Sequence, residues 1–243
     1  MTAYYPSQDT DDSWEIATTG QNLPTTDPIN VRANATDYRI GALRVQLTGV
    51  NQGDTVYTGT LYAYFSASSR DDIHCDVVGE LVAAPGTFTT STNHISGRLS
   101  ANPTTATVEW QETGTGAGWY SIDVSSIIQE LVNQGSWSDG GYIVLFLDPT
   151  AYTSAEFAWI QSFSGTNPWY VDVTSGPANS SPTIALNTAD ASTLDTTPTV
   201  EFTGSDADDD DLRYQVQITD NPDGFTGGDV VVDSLESGTG TII

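Results

Sequence analysis

Short segments in which apolar and polar residues alternate recur along the first 175 residues, and they restrict the fold more than any other feature. An alternation with a period of two is the pattern of a half-buried β-strand. The clearest examples are residues 41–47 and 60–66. The residues predicted to face inward are Leu43, Val45, Leu47, Leu61, Ala63 and Phe65. The residues predicted to face outward are Arg44, Gln46, Tyr62 and Tyr64.

Other segments of this region also have the character of strands. Residues 142–147 are apolar at every position, which predicts a central strand covered on both faces. Residues 155–163 and 169–173 are predicted to add two further strands. The sequence therefore predicts an all-β protein with a sandwich architecture.

One short helix is predicted among these strands. Ser126 followed by Gln129 has the spacing of a capping box, in which the two side chains satisfy each other's backbone amides. Gly135 then supplies a left-handed stop. The apolar stripe of the predicted helix consists of Ile127, Ile128, Leu131 and Val132.

Residues 176–182 have the Gly/Pro/Ser/Asn composition of a linker, and they divide the chain into domains of 1–175 and 183–243. The second domain is also predicted to be β. Its strands are predicted at 182–186, 199–202, 212–218 and 230–233. These are fewer than the roughly seven strands of an immunoglobulin-like sandwich, so we expect this domain to be truncated and the natural chain to continue.

The first domain resembles a known family in its packing signals. Trp119 precedes an Asp-Val-Ser helix entry at 123–125, and a Gly-rich turn at 139–141 leads into the buried strand. This order resembles the DNRLRE-type domain, whose architecture is shared with many carbohydrate-binding modules. The resemblance implies a jelly-roll sandwich with one short helix.

The second domain resembles cadherin-like and fibronectin-like repeats of phage and bacterial surface proteins. The resemblance lies in the acidic loop at 206–214. Carboxylate oxygens are the ligands that Ca²⁺ prefers, and without a cation they repel one another. A calcium site and a solvated acidic loop are both consistent with this cluster. The candidate ligands are Asp206, Asp208, Asp210 and Asp211.

Charge narrows the choice of partners. The chain carries 32 acidic residues against six basic ones, a formal net charge of −26, and all six basic residues are arginine. Such a field repels phosphate, so we expect neither nucleic acid nor membrane as a partner. The acidic group Asp9, Asp11 and Asp12 is predicted to lie in solvent.

Catalytic groups are sparse. His74, Cys75 and His94 are the only imidazoles and the only thiol, which are too few for a zinc site. Glu109 and Glu112 are the one carboxylate pair considered for glycoside hydrolysis, and no feature of the sequence sets them apart from other acids. We therefore predict that the protein is not an enzyme.

Aromatic residues point instead to a glycan. Exposed tryptophan rings stack on the apolar faces of sugars, whereas buried ones belong to the core of a sandwich. Trp137 and Trp169 are flanked by loop-forming residues and are predicted to be exposed, with Asn167 and Asp139 as polar neighbours.

These features favour a structural, decorating or adhesion protein of a tailed-virus particle or surface fibre that contacts host glycans. The first ten residues have no basic or apolar signal segment, and a virion protein reaches the outside by lysis. The predicted partners are other virion or fibre subunits, with homo-oligomers expected. The alternative is a carbohydrate-binding module of a secreted enzyme or adhesin.

Overall fold

The computed structural model of the protein describes residues 2–24, 28–34, 36–66, 71–152, 157–186, 200–207, 212 and 239–242. Contacts within the chain divide it into two compact units, Met1–Ala178 and Asn179–Ile243.

The first unit consists of twelve described strands, two short helices and one 3-10 turn. The strands are β1 (Thr2–Tyr4), β2 (Asp12–Ile16), β3 (Gln21–Leu23), β4 (Ile29–Arg32), β5 (Arg39–Gln46), β6 (Thr55–Phe65), β7 (Asp71–Glu80), β8 (Pro103–Thr115), β9 (Gly118–Asp123), β10 (Tyr142–Asp148), β11 (Phe157–Ile160) and β12 (Tyr170–Gly176). The helices are α1 (His94–Ala101) and α2 (Ser125–Val132), and the 3-10 turn is Asp9–Asp11.

All pairings among these described strands are antiparallel. They run in the order β1-β12-β6-β11-β4-β5-β10-β7-β8, with β9 beside β6, β2 beside β5 and β3 beside β2. The prediction that the chain is mostly β is confirmed, and the structure shows the strands to be antiparallel, with two short helices in place of the one expected.

The main core lies on the inward faces of these strands, where the alternation of apolar and polar residues places the apolar side chains. Leu43, Leu61 and Phe65 are each completely buried in this core. A second, smaller cluster covers the opposite face of β5 and β10 and includes Val144, Phe146 and Phe88. Strand β10 is therefore buried on both faces, as its uninterrupted apolar sequence predicts.

Helix α2 packs its four predicted apolar residues into the main core, where all are buried. Gly59 of β6 makes this close approach possible, because a Cβ there would lie 3.0 Å from the Cα of Ser125. The amide of Val124 also donates to the Gly59 carbonyl at 2.7 Å, which holds the start of the helix against β6.

The predicted caps of α2 are wrong. The Asp123 carboxylate, rather than Ser126, accepts from the amide and hydroxyl of Ser125 at 2.8 and 2.6 Å. Gln129 turns towards the sheet, where its Oε1 accepts from the Val56 amide at 2.8 Å. Gly135 does not adopt a left-handed conformation, so it supplies no stop of that kind.

Two predictions of exposure are also corrected. Arg44 lies on the outward face of β5 but is buried, because Asp11 and the carbonyl of Pro85 cover it. Its Nη1 donates to Asp11 at 2.6 Å, and its guanidinium stacks 3.4 Å from the ring centre of Tyr142. Asp11 and Asp12 are thus interior residues and are not part of a solvated acidic group.

In the second unit the structure describes three antiparallel strands, β13 (Thr183–Leu186), β14 (Val200–Ser205) and β15 (Thr239–Ile242), in the order β13-β14-β15. The first two fall in predicted strand segments, whereas β15 was not predicted. Residues 213–218 and the strand predicted at 230–233 lie outside the described residues. Neither described helix has the length and apolar character needed to cross a membrane.

Candidate functional site

Five aromatic side chains gather on the outward face of four neighbouring strands, and we call this surface the aromatic face. Its members are Tyr5, Tyr62, Tyr64, Trp119 and Tyr170. Tyr5 follows β1, and the others lie on β6, β9 and β12. Because Leu61, Ala63 and Phe65 point into the core, the alternate positions of β6 must point outward.

Strand register brings these rings together. Tyr170 lies directly opposite Tyr62 in the β12–β6 pair, and Trp119 lies directly opposite Tyr64 in the β6–β9 pair. The Tyr62 and Tyr170 rings stack with centroids 4.8 Å apart and an interplanar angle of 10°. This distance is close to the spacing of neighbouring strands, so the two rings stand side by side across the sheet.

The outer members of the aromatic face are held by the inner ones. The Trp119 indole makes edge contacts with Tyr64 at 5.5 Å and with Tyr170 at 5.4 Å between ring centroids. Tyr5 packs against Tyr170 at 4.8 Å. Even so, Trp119 exposes 44% of its surface and Tyr5 exposes 49%. The surface therefore offers solvent-accessible rings whose orientation is already fixed.

Polar groups border these rings. Asp172 lies two residues after Tyr170 and opposite Thr60, on the same side of the sheet. Its Oδ1 atom is buried and has no hydrogen-bond partner among the described residues. Burial, with smaller contributions from Tyr5, Tyr62 and Asp172, raises the pKa of Tyr170. This phenol therefore remains a neutral hydrogen-bonding group at neutral pH.

The tryptophans predicted to bind a glycan are buried, and the prediction that they are exposed is wrong. Trp137 is 5% exposed and Trp169 is completely buried. Both lie on connections between elements, as their neighbours suggest, but their rings point inward. The Trp137 indole donates to the Val50 carbonyl at 3.0 Å, and the Trp169 indole donates to Asp12 at 3.0 Å.

The two predicted polar neighbours serve local structure. The exposed Asp139 accepts from the Gly49 amide at 2.6 Å, and the backbone amide of Asn167 donates to Gln161 at 2.7 Å. Neither residue contacts the aromatic face through a described bond. The predicted set of four residues therefore does not form a sugar platform.

Trp119 is the functional candidate that sequence reasoning missed. A signal for it is present, because β9 alternates between half-buried and exposed residues and places Trp119 and Ser121 at exposed positions. The same signal marks Tyr62 and Tyr64, which were predicted to face outward. Recognising the cluster requires knowing that β1, β12, β6 and β9 are neighbours.

Of the predicted calcium ligands, Asp208, Asp210 and Asp211 lie outside the described residues. Asp206 is the one candidate ligand that the structure describes. Across the described part of the chain, no group of three or more His, Cys, Asp or Glu residues could hold a metal ion.

The side chains considered for catalysis make contacts with other residues of the fold. The His74 imidazole lies 2.8 Å from Glu109 and stacks on Tyr152, and Glu112 accepts from the Trp110 indole at 3.3 Å. Cys75 is completely buried, and this burial raises the pKa of its thiol well above the usual range. The arrangement brings no nucleophile together with a base at an accessible position among these residues.

No protein-family model and no curated protein sequence matches this chain.

Proposed function

We propose that this chain is a non-enzymatic adhesion protein that holds glycans on the aromatic face, within a jelly-roll first domain followed by an immunoglobulin-like one. The observation that carries the proposal is the combination of exposure and fixed orientation at Trp119 and Tyr5. A sugar ring presents an apolar C–H surface and a polar rim. Aromatic rings bordered by hydroxyl and carboxylate groups complement both parts.

An exposed apolar patch of this kind costs solubility unless it binds something. Four of the five rings come from β6, β9 and β12, and Tyr5 follows β1. These segments are far apart in the sequence, and packing between the rings restricts their rotation. A ligand that stacks on them therefore loses little free energy to side-chain ordering. This pre-organisation favours a binding surface over a random group of exposed residues.

The setting that we propose is the surface of a tailed-virus particle or fibre, with other subunits of the same assembly as partners. A net charge of −26 keeps such a protein soluble outside a cell and disfavours nucleic acid and membrane. The alternative setting is a carbohydrate-binding module of a secreted enzyme or adhesin. Peptide mass spectrometry of purified particles distinguishes the two.

The Trp119→Ala variant is expected to lower glycan affinity by roughly tenfold or more, since a central aromatic contact of about 1.4 kcal/mol or more is lost. Suitable probes are microcrystalline cellulose and chitin in depletion assays, and soluble mannan and xylan in affinity gel electrophoresis. Binding of the wild-type chain to none of these polysaccharides, or unchanged binding of the variant, contradicts the proposal.

Phe163→Ala provides the matched control. Phe163 is also an exposed aromatic residue, at 36%, but it does not belong to the aromatic face. Its removal is expected to leave glycan binding unchanged. An equal loss in both variants would indicate non-specific adsorption through exposed rings.

Calcium binding by the acidic loop at 206–211 is a separate proposal. If the loop binds calcium in the native state alone, the melting temperature of the chain should rise with the logarithm of excess calcium. Calorimetry with calcium and with a chelator at equal ionic strength measures this. An Asp206→Asn/Asp208→Asn variant should lose the response, and an unmoved wild-type curve rules the site out.

A further inference from the structure

The arginines that the structure describes are all engaged by carboxylates within the protein. The pairs and their distances are Arg32–Asp37 at 2.8 Å, Arg39–Asp37 at 2.9 Å, Arg44–Asp11 at 2.6 Å and the close pair Arg98–Glu80. The sequence contains no lysine, and its other two arginines, Arg70 and Arg213, lie outside the described residues. Positive charge in the described part of the chain is thus neutralised internally.

The aromatic face itself carries negative charge. None of the strands β1, β6, β9 and β12 contains a basic residue, while β9 ends at Asp123 and β12 contains Asp172. Asp123 is exposed, and Asp172 is half-buried beside Tyr170. A ligand on this surface therefore meets carboxylates without a cation from the same four strands.

We infer that the aromatic face selects neutral glycans and rejects those that carry carboxylates or sulfates; this inference rests on the proposed function. An anionic sugar would lose hydration on stacking against the rings and would gain no ion pair in return. It would also be repelled by Asp123, Asp172 and the net charge of −26. A neutral sugar avoids both costs and can still donate hydroxyl hydrogen bonds to the exposed carboxylate of Asp123.

The test compares ligands that differ at C6, where a negatively charged carboxylate replaces the neutral hydroxymethyl group. Cello-oligosaccharides and their C6-oxidised counterparts share one linkage and one ring geometry, and mannan and its C6-oxidised form provide a second pair. Binding is measured with the full chain at about 20 mM and about 300 mM salt, concentrations at which charge repulsion is weakly and strongly screened. At low salt the oxidised form is expected to bind about tenfold more weakly than the neutral form, or more weakly still. This difference in affinity should shrink at high salt.

Two variants locate the effect on the aromatic face. Ser121→Arg places a cation on β9 two residues from Trp119, at an exposed position, and is expected to narrow the difference between neutral and oxidised ligands. Gln111→Arg makes the same change of charge at an exposed position on β8. It is expected to reduce the affinity difference between neutral and oxidised ligands less than Ser121→Arg does.

Each outcome separates the two proposals. Binding of the oxidised forms as tightly as the neutral forms overturns the charge selection and leaves the glycan-binding function standing. A preference that Ser121→Arg and Gln111→Arg reduce equally overturns its assignment to the aromatic face. If neither form of either glycan binds, and chitin and xylan do not bind either, the proposed function fails and the selection fails with it.

Discussion

Replacing Arg44 with alanine is expected to lower the free energy of unfolding by about 3–5 kcal/mol, because it leaves a buried carboxylate without its cation. Asp11 is completely buried, and its remaining side-chain partner among the described residues would be Ser7, whose hydroxyl donates at 2.7 Å and whose amide donates at 3.1 Å. For a domain of this size the loss corresponds to a fall in melting temperature of roughly 6–20 °C. Urea unfolding followed by tryptophan fluorescence measures it, since all six tryptophans lie in the first unit.

Arg32→Ala is the matched control. Arg32 also pairs with an aspartate at 2.8 Å, but both side chains of that pair are partly exposed, at 31% and 25%. Pairs of this kind contribute about 1 kcal/mol or less. In addition, Arg44→Met/Asp11→Leu is expected to recover part of the stability, since it removes both buried charges. Equal losses from Arg44→Ala and Arg32→Ala would show that burial of the Arg44 pair does not matter.

Replacing Trp169 with alanine is expected to cost about 3–5 kcal/mol of stability through the cavity that it leaves. The ring is completely buried, and its indole is one of the donors to the buried Asp12. Trp169→Phe is expected to cost less, because most of the apolar volume is kept. Both variants are measured by urea unfolding of the full chain.

Trp119→Ala serves as the control for this experiment too, since an exposed ring at 44% contributes little packing. We expect a loss of stability below about 1 kcal/mol, within the usual range for a surface substitution away from special features. The two alanine substitutions should therefore have separate effects. Trp169→Ala should lower the free energy of unfolding, whereas Trp119→Ala should lower glycan affinity. A Trp169→Ala variant that stays stable but loses glycan binding would support the sequence-based prediction that Trp169 binds the glycan.

The sequence predicts the strands well where burial alone determines the pattern. Leu61, Ala63 and Phe65 alternate because one face of β6 meets the core, and β10 is apolar throughout because both faces are covered. Such patterns are local, so they can be recognised without knowing which strands are neighbours.

Contacts between distant segments explain what the sequence did not predict. Helix α1 contains Gly97 and two serines and buries only Ile95, so its local signal is weak. It begins where the buried carboxylate of Glu15 accepts from the Ile95 amide at 2.7 Å, a contact between residues 80 positions apart. Arg44 was assigned to solvent for the same reason, because the segments that cover it come from elsewhere in the chain.

In the candidate site, too, features set by a single strand were predicted and features set by contacts between strands were not. The outward direction of Tyr62 and Tyr64 is a property of one strand and was predicted. Their association with Tyr170 depends on β12 pairing with β6. That of Tyr5 depends on β1 pairing with β12, two strands from opposite ends of the first unit. Flanking loop residues were a poor guide to exposure, since Trp169 follows a Gly-Thr-Asn-Pro turn and is nevertheless completely buried.

The burial of Cys75 has a practical consequence for labelling the protein. The chain has no lysine side chain for amine-reactive dyes, and its single thiol is completely buried and held protonated by a raised pKa. The nucleophile that attacks thiol reagents is the thiolate, so the folded protein reacts poorly with them. A cysteine introduced at the exposed Ser121 would therefore be the reactive thiol of the folded chain. A fluorophore attached there would sit beside Trp119 and could report occupancy of the aromatic face directly.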